Sequence, residues 1–388
     1  MRLLSDIDVF GKRVFVRADL DVPLREAQVR NGERETTNAE VETSTRLVNL
    51  KPTVDYLLEH RAKQIIIAGH IDRPKKPDPA LSTKQLLPTL EKNLGQEITF
   101  LEELTGPVSL FPPASARSSS NSNDDQQDQV ELRAVGSPSK TATPQILLFE
   151  NLRFWPGEEA NDLEFARQLA SMADVYINDA LSVSHREHAS VVALPSLLPH
   201  AVGLHLQEEI EVLSELLKNP KRPFVAIVGG VKIETKVLVI ENLAQVADWV
   251  IVGGLIAKQQ LTIDNSQLTG SPNVKGQMSK VVLASLTPNN NDIDQNSVNK
   301  FKSIIATAKT VVWNGPMGVF EEGFEEGTLA VAQTVIDSGA YSVVGGGETT
   351  AFLASKNLLS RFSFVSSGGG AMLEFLAGKS LPGLVALE

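Results

Sequence analysis

Short apolar runs, each closing on a polar or glycine-rich turn, recur along the chain. Val14–Val16, Gln64–Ala68, Ile98–Leu101, Gln145–Phe149 and Val175–Ile177 have the length and apolar density of buried parallel strands. Between them, Thr45–His60, Leu86–Leu94 and Asp162–Ala173 read as helices. In the first of these, Leu47, Leu50, Val54, Leu57 and Leu58 fall at helical spacing. Residues 26–43 are polar and read as a loop. Leu204–Leu217 reads as one amphipathic helix, closed by Pro220 and Pro223, and is the natural connector between two halves. The rhythm resumes with strands expected at Phe224–Val228, Trp249–Val252, Thr310–Trp313, Ser342–Val344 and Phe362–Val365. Helical patterns follow two of them, at Thr350–Ala354 and Ala371–Leu376. The alternation predicts an α/β protein with two doubly wound, Rossmann-like parallel-sheet domains joined by the Leu204–Leu217 helix.

Composition narrows the class. A chain of 388 residues is long for one core and fits two domains. Hydrophobic content of 42% and charged content of 21% are those of a soluble globular protein. A net charge of −11 disfavours a general role on nucleic acid or anionic membrane, so an anionic ligand must be met by local basic groups. The absence of cysteine excludes disulfides, thiolate metal sites and cysteine nucleophiles. The first residues, MRLLSDIDVFGKR, lack the apolar core of a secretory signal, and no apolar run approaches membrane-spanning length. A soluble, cytoplasmic protein is expected. One stretch, 114–144, is rich in Ser, Asn, Gln and Asp and is expected to be a low-complexity surface insertion.

The turns differ between the halves. In the first half four strands are followed within a few residues by arginine, at Arg17, Arg73, Arg153 and Arg186. Ligands of open parallel sheets bind outside the carboxyl ends of the strands. The four arginines, with Arg46, His70 and His185, are therefore expected to converge on an anionic, phosphorylated substrate. In the second half five strands end in glycine: Gly229-Gly230, Gly253-Gly254, Gly315, Gly345-Gly346-Gly347 and Gly368-Gly369-Gly370. Backbone amides at such turns suit phosphate groups. The stretch Pro223–Lys236 adds Lys232 and Lys236, four apart, after a strand and a glycine turn. Taken alone it also describes an ordinary βα connection with two solvated lysines. Arginines facing glycine-lined cradles across a cleft suggest transfer of a group between two ligands.

Other chemistries find less support. The apparent phosphate-loop ending Gly378-Lys379-Ser380 has Leu373 where its first glycine belongs, and no strand-to-helix context surrounds it. No G-x-G-x-x-G opens a βαβ unit. His185 and His188 lack the further ligands of a zinc site. No nucleophile elbow is present.

These features together resemble the phosphoglycerate kinase family. The most specific segments are VVWNGPMGVFE at 311–321, GGGETT at 345–350, SSGGGAMLEFLAGKSLPG at 366–383 and NDALSVSHREHAS at 178–190, with ENLRF at 150–154 and PFVAIVGGVKIETK. The resemblance implies reversible phosphoryl transfer between 1,3-bisphosphoglycerate and MgADP, giving 3-phosphoglycerate and MgATP, a glycolytic step. It implies that Arg17, His70, Arg73, Arg153 and Arg186 hold 3-phosphoglycerate beside Asp19 and Asp21. Arg46 and Lys232 would contact the transferred group, with backbone amides of Gly347 and Gly369. Lys236 and Thr349 would hold nucleotide phosphates among Gly229, Gly230, Gly253, Gly254, Asn314 and Gly346. Glu321 would meet the ribose and Glu348 would coordinate Mg²⁺. The implied domains are 1–200 for 3-phosphoglycerate, 201–375 for nucleotide, and 376–388 returning to the first. A monomer that closes about a hinge near Leu204–Leu217 is expected.

The chain departs from the family pattern at several points. Asp21 stands where the family has Asn, Asp72 and Ser182 where it has Gly, and Glu348 where it has Asp. The stretch between Gly254 and Thr310 is short, and its Asp-Ile-Gly segment reads Asp292-Ile293-Asp294. Two added aspartates on the substrate side and one near the nucleotide predict weakened or altered binding on an intact fold. Two alternatives stay open: an impaired member acting through nucleotide or partner binding, and a kinase for another small carboxylate.

Overall fold

The computed structural model describes residues 1–22, 28–30, 33–35, 45–104, 144–231, 236–262 and 281–388. Lys232 and residues 114–143 of the low-complexity stretch lie outside them, as do 263–280 of the weakly matching segment.

Five strands and a short sixth form the first sheet: β1 (Arg13–Arg17), β4 (Gln64–Ala68), β5 (Ile98–Leu101), β6 (Gln145–Phe149), β7 (Val175–Asn178) and β8 (His200–Val202). All neighbours are parallel, in the order β5-β6-β4-β1-β7-β8. Both faces are buried, which is why these strands read as continuous apolar runs. Alternation along β1 sends Phe15 to one face, with Phe149, Leu169 and Tyr176. It sends Val14 and Val16 to the other, with Leu47, Val54, Leu57 and Leu90.

The second sheet comprises β9 (Phe224–Val228), β10 (Trp249–Val252), β11 (Val281–Leu283), β12 (Thr310–Asn314), β13 (Tyr341–Gly345) and β14 (Phe364–Ser366). Its order is β11-β10-β9-β12-β13-β14, again parallel throughout. Chain order therefore reverses between β9 and β12, the crevice where doubly wound sheets take their ligands.

Two local readings are corrected, and two strands are added. Residues 26–43 are not simply a loop, because β2 (Gln28–Arg30) and β3 (Glu33–Glu35) pair antiparallel. The helix expected over Thr45–His60 is two, Thr45–Asn49 and Lys51–Glu59. Pro52 sits in the first turn of the second, where its missing N–H breaks no intrahelical bond but prevents a continuous ladder from Val48. The edge strands β8 and β11, three residues each, are not among the strands expected from the sequence.

The connecting helix spans Leu204–Lys218. Its start is set by Asp179, at the end of β7, whose Oδ1 accepts from the amides of His205 and Leu206 at 3.0 and 3.2 Å. A carboxylate there satisfies first-turn donors and suits the positive end of the helix. The same helix buries His205 and Glu209, one turn apart, together with Leu206, Leu213 and Leu216. The last residues return to the first half: Gly383 N donates to Ser184 O at 2.8 Å.

Candidate functional site

Arg17 ends β1 and is fully buried. Its Nε donates to Ser190 Oγ at 2.9 Å, its Nη1 to Ala18 O at 2.6 Å, and its Nη2 meets His70 Nδ1 at 3.0 Å. It thus lies behind His70 and does not line the cavity, contrary to the expectation of direct substrate contact. Burial, then the charges of Arg17 and Arg153, hold the His70 imidazole neutral, well below its ordinary range.

Arg46 projects from the Thr45–Asn49 helix. Its Nη1 donates to Asp19 Oδ1 at 3.1 Å and to Asp21 O at 2.9 Å. The Asp19 charge raises Arg46 above its usual value against the cost of burial, so it stays a cation. Asp19 Oδ2 is buried without a partner. Asp21 faces Arg46 at 3.9 Å and His70 Nε2 at 3.8 Å, and accepts from Asp72 N at 2.8 Å. The carboxylate that replaces the family's Asn therefore lies near an arginine that it shares with Asp19. Arg153 donates to Asp72 O at 2.6 Å. Burial lowers its pKa, Glu159 at 3.2 Å opposes, and Arg17 and Arg73 add to the lowering.

These residues open on a cavity of about 280 Å³. Arg46, His70, Arg73, Arg153, His185 and Arg186 line it from the first half, and Ser367, Gly368, Gly369 and Gly370 from the second. Charge concentrated in so small a volume calls for an anion. Asp72 has φ +53, the left-handed region that suits Gly and that Asp tolerates better than bulkier residues. It is exposed at the rim of the same cavity, so its side chain has room and the replacement leaves the turn intact. Ser182, the other substituted glycine, lines the same cavity with its Oγ buried and unpaired.

The second-half glycines divide into two kinds. A Cβ on Gly229 would meet Pro316 O at 2.2 Å, and one on Gly253 would meet Met317 Sδ at 2.3 Å. Those glycines exist for close packing. A Cβ on Gly347 or Gly369 would meet nothing within 4 Å, so these face open space. A second cleft is lined by Gly230, Gly254, Asn291, Pro316, Glu321 and Glu348, among others. Lys236 caps the Val237–Val246 helix and turns back to donate to Gly229 O. It is 9% exposed, and burial pushes it down to about 8, with Glu348 the one opposing charge. Asn314 Nδ2, against Gly346, is buried without an acceptor. Thr349 is fully buried and accepts from Gly315 N at 2.8 Å, which leaves its hydroxyl hydrogen for a further acceptor.

A sequence model of the family described as phosphoglycerate kinase matches residues 4–287 and 278–379. The phosphoglycerate kinase of Moorella thermoacetica is 36% identical, covering 99% of this chain and 98% of its own. The cytosolic phosphoglycerate kinase of Triticum aestivum is 36% identical over 99% of this chain and 97% of its own. The solved structure of phosphoglycerate kinase from Coxiella burnetii superposes with a TM-score of 0.73 at 31% identity, over 100% of this chain and 99% of that one. This chain belongs to the phosphoglycerate kinase family. It is accordingly a phosphotransferase with the two-domain α/β fold of that family, and family members act on phosphoglycerate and adenine nucleotide.

In this member of the phosphoglycerate kinase family, the added aspartate of the 292–294 segment has a structural use. Asp294 N-caps the Gln295–Ile305 helix, its Oδ1 accepting from Ser297 N at 2.7 Å. Asp292 is tied to the amides of Ile293 and Gly327. Sequence reasoning missed a polar junction between the halves. His205 Nε2 lies 3.1 Å from Asn49 Nδ2, 3.3 Å from Glu209 Oε1 and 3.4 Å from Ser367 Oγ. Ser367 N donates to Glu209 Oε1 at 2.5 Å. Burial lowers His205, but the hydrogen bond and charge of Glu209 outweigh it and the net shift is upward. The helical spacing of His205 and Glu209 on an apolar face was the available signal.

Proposed function

We propose that the chain transfers a phosphoryl group between 1,3-bisphosphoglycerate and MgADP, with 3-phosphoglycerate and MgATP as products. The observation that carries this is the shared cavity, in which arginines of the first half face the open glycine loop 367–370 of the second. In the ATP-forming direction a β-phosphate oxygen of ADP attacks the acyl phosphorus. The bond from phosphorus to the carboxyl oxygen breaks, and a carboxylate leaves. No proton moves, so no general base is required, and positioning and charge carry the catalysis.

In this reading His70, Arg73, Arg153 and Arg186 bind the phosphoglycerate, with Asp19 and Asp21 orienting it. Arg46 and Lys232 meet the transferred group, joined by the amides of Gly347 and Gly369. Lys236, Asn314 and Thr349 hold nucleotide phosphates, and Glu321 takes the ribose. Glu348 serves Mg²⁺ that arrives on the nucleotide. Among the described residues no cluster of three or more carboxylates or histidines could hold a metal unaided. One carboxylate plus substrate phosphates suits Mg²⁺. The binding units are 1–200 and 201–375, with 376–388 docked on the first. The protein works as a cytoplasmic monomer that closes at the His205–Glu209–Ser367 junction.

The test is ADP formation from MgATP with 3-phosphoglycerate. Turnover should require the acceptor and fall by at least about 100-fold in Arg46→Ala, the scale of losing one preorganised charge at a transferring phosphoryl group. A folded protein that binds nucleotide yet forms no ADP overturns the proposal.

A further inference from the structure

A buried chain of polar groups runs from the interior of the first half to the substrate cavity, and its hydrogens can be arranged in only one way. Glu158 is fully buried, and both of its oxygens accept from Ser190: Oε2 from the amide at 2.9 Å, Oε1 from the hydroxyl at 2.6 Å. With its hydrogen committed to Glu158, Ser190 Oγ can only accept from Arg17, whose Nε lies 2.9 Å away. An arginine has donors and no acceptor. At its far end, therefore, Nη2 donates to His70 Nδ1 at 3.0 Å, and that nitrogen must carry a lone pair. The remaining proton of a neutral imidazole sits on Nε2, on the side of His70 that faces Asp21 and the cavity.

We infer that Glu158, Ser190 and Arg17 are positioning residues that lock His70 as the Nε2–H tautomer, a neutral donor aimed at the substrate. This deepens the function proposed above and rests on it for the identity of the substrate. Without the lock, His70 could present a lone pair to an anion, which repels it. Two features support the assignment. Among the described residues no carboxylate pairs with Arg17, so Ser190 Oγ and Ala18 O are what hold its guanidinium behind His70. Tyr176 Oη also donates to Ser190 O at 2.7 Å, fixing the backbone that carries the hydroxyl. Burial holds the Tyr176 phenol protonated, its pKa pushed up, and His188, 3.9 Å from Glu158, is pushed down to about 3 by burial with the charges of Arg153 and Arg17. His188 is therefore neutral and offers Glu158 no competing cation.

The tautomer can be read directly, without substrate or turnover. Imidazole ¹⁵N–¹H correlation spectra of the full-length wild-type protein, assigned with His70→Gln, should show His70 as Nε2–H from about pH 6 to about pH 8, across the range where an ordinary histidine changes charge. Arg17→Met and Ser190→Ala should give a mixture of tautomers, and Ser190→Thr, which keeps the hydroxyl, should restore the single form. In parallel, Ser190→Ala should raise the KM for 3-phosphoglycerate about fivefold to tenfold, the scale of one ordinary hydrogen bond, with the KM for ATP unchanged. A wild-type His70 that is Nδ1–H or an imidazolium overturns the inference, and so does an unaltered tautomer in folded Arg17→Met. An Nε2–H His70 in a protein without kinase activity would sink the functional proposal alone.

Discussion

The two halves of this molecule carry the same architecture, and in the function proposed above they meet anions by opposite means. At the carboxyl edge of the first sheet, side chains do the work: Arg46, Arg73, Arg153 and Arg186 surround His70. At the edge of the second, backbone does it: Gly347 and Gly369 leave open space, and Lys236 is the one buried lysine among the described residues. An arginine edge has to manage its own repulsion. It does so with Asp19 and Asp21, which stand against Arg46, and with Glu159, which stands against Arg153. A backbone edge has no such problem, but it tolerates no Cβ where two loops meet. The contrast teaches that the first half should fail through lost charge and the second through added bulk.

Three substitutions sharpen this, beyond the loss expected from Arg46→Ala. Gly229→Ala should destabilise the second half by about 2 to 4 kcal/mol, because the new Cβ would sit 2.2 Å from Pro316 O and 2.4 Å from Gly315 O. Thermal unfolding would reveal it as a lowered Tm. An unchanged Tm would mean the glycines are not there for packing.

Lys236 predicts a pH effect whose sign differs between stability and binding. Its pKa in the folded protein is about 8, against 10.5 when free. Above about pH 8 the unfolded chain still binds this proton and the folded one does not, so the Lys236 contribution to stability improves as pH rises from about 8 to about 10.5. Nucleotide affinity should move the other way, because a neutral lysine no longer attracts phosphate. The Kd for ADP should rise through about pH 8 in the wild type and stay level in Lys236→Met. A flat wild-type profile would remove Lys236 from the nucleotide site.

Asp21→Asn should have the smallest effect. Arg46 and His70 lie 3.9 and 3.8 Å from the Asp21 carboxylate, and the Asn oxygen can still accept from Asp72 N. Removing one screened charge should lower the KM for 3-phosphoglycerate by no more than about threefold. A larger gain would mean that this carboxylate opposes the substrate in spite of its arginine.

Much of this contrast is visible in the order of residue types. Strand ends, arginines and glycine turns all sit where an open parallel sheet puts its ligands. The individual roles were harder to read. Arg17 looks like its neighbours in the sequence, yet Ser190 and His70, which lie 173 and 53 positions away, draw it into the interior. Gly229 and Gly347 are the same residue at the same kind of turn, and only the packed partner separates a tight contact from an open site. Asp294 shows the reverse case. Its local spacing to Ser297 is a helix cap, and reading it as an added charge near the nucleotide overlooked a signal that was present. The His205–Glu209 pair is legible as helical spacing, but its partners Asn49 and Ser367 come from elements far apart in the chain.

The central claim is that each half holds its own ligand, one by side chains and the other by backbone. Calorimetric titration of 3-phosphoglycerate and of MgADP into Arg153→Ala and Gly347→Val tests it most directly. Arg153→Ala should weaken 3-phosphoglycerate by about tenfold or more and leave MgADP within about twofold, while Gly347→Val should do the reverse, since a lost charged hydrogen bond and a filled phosphate space each act locally. Crossed losses, with Arg153→Ala weakening MgADP or Gly347→Val weakening 3-phosphoglycerate by as much as the cognate ligand, would contradict the account.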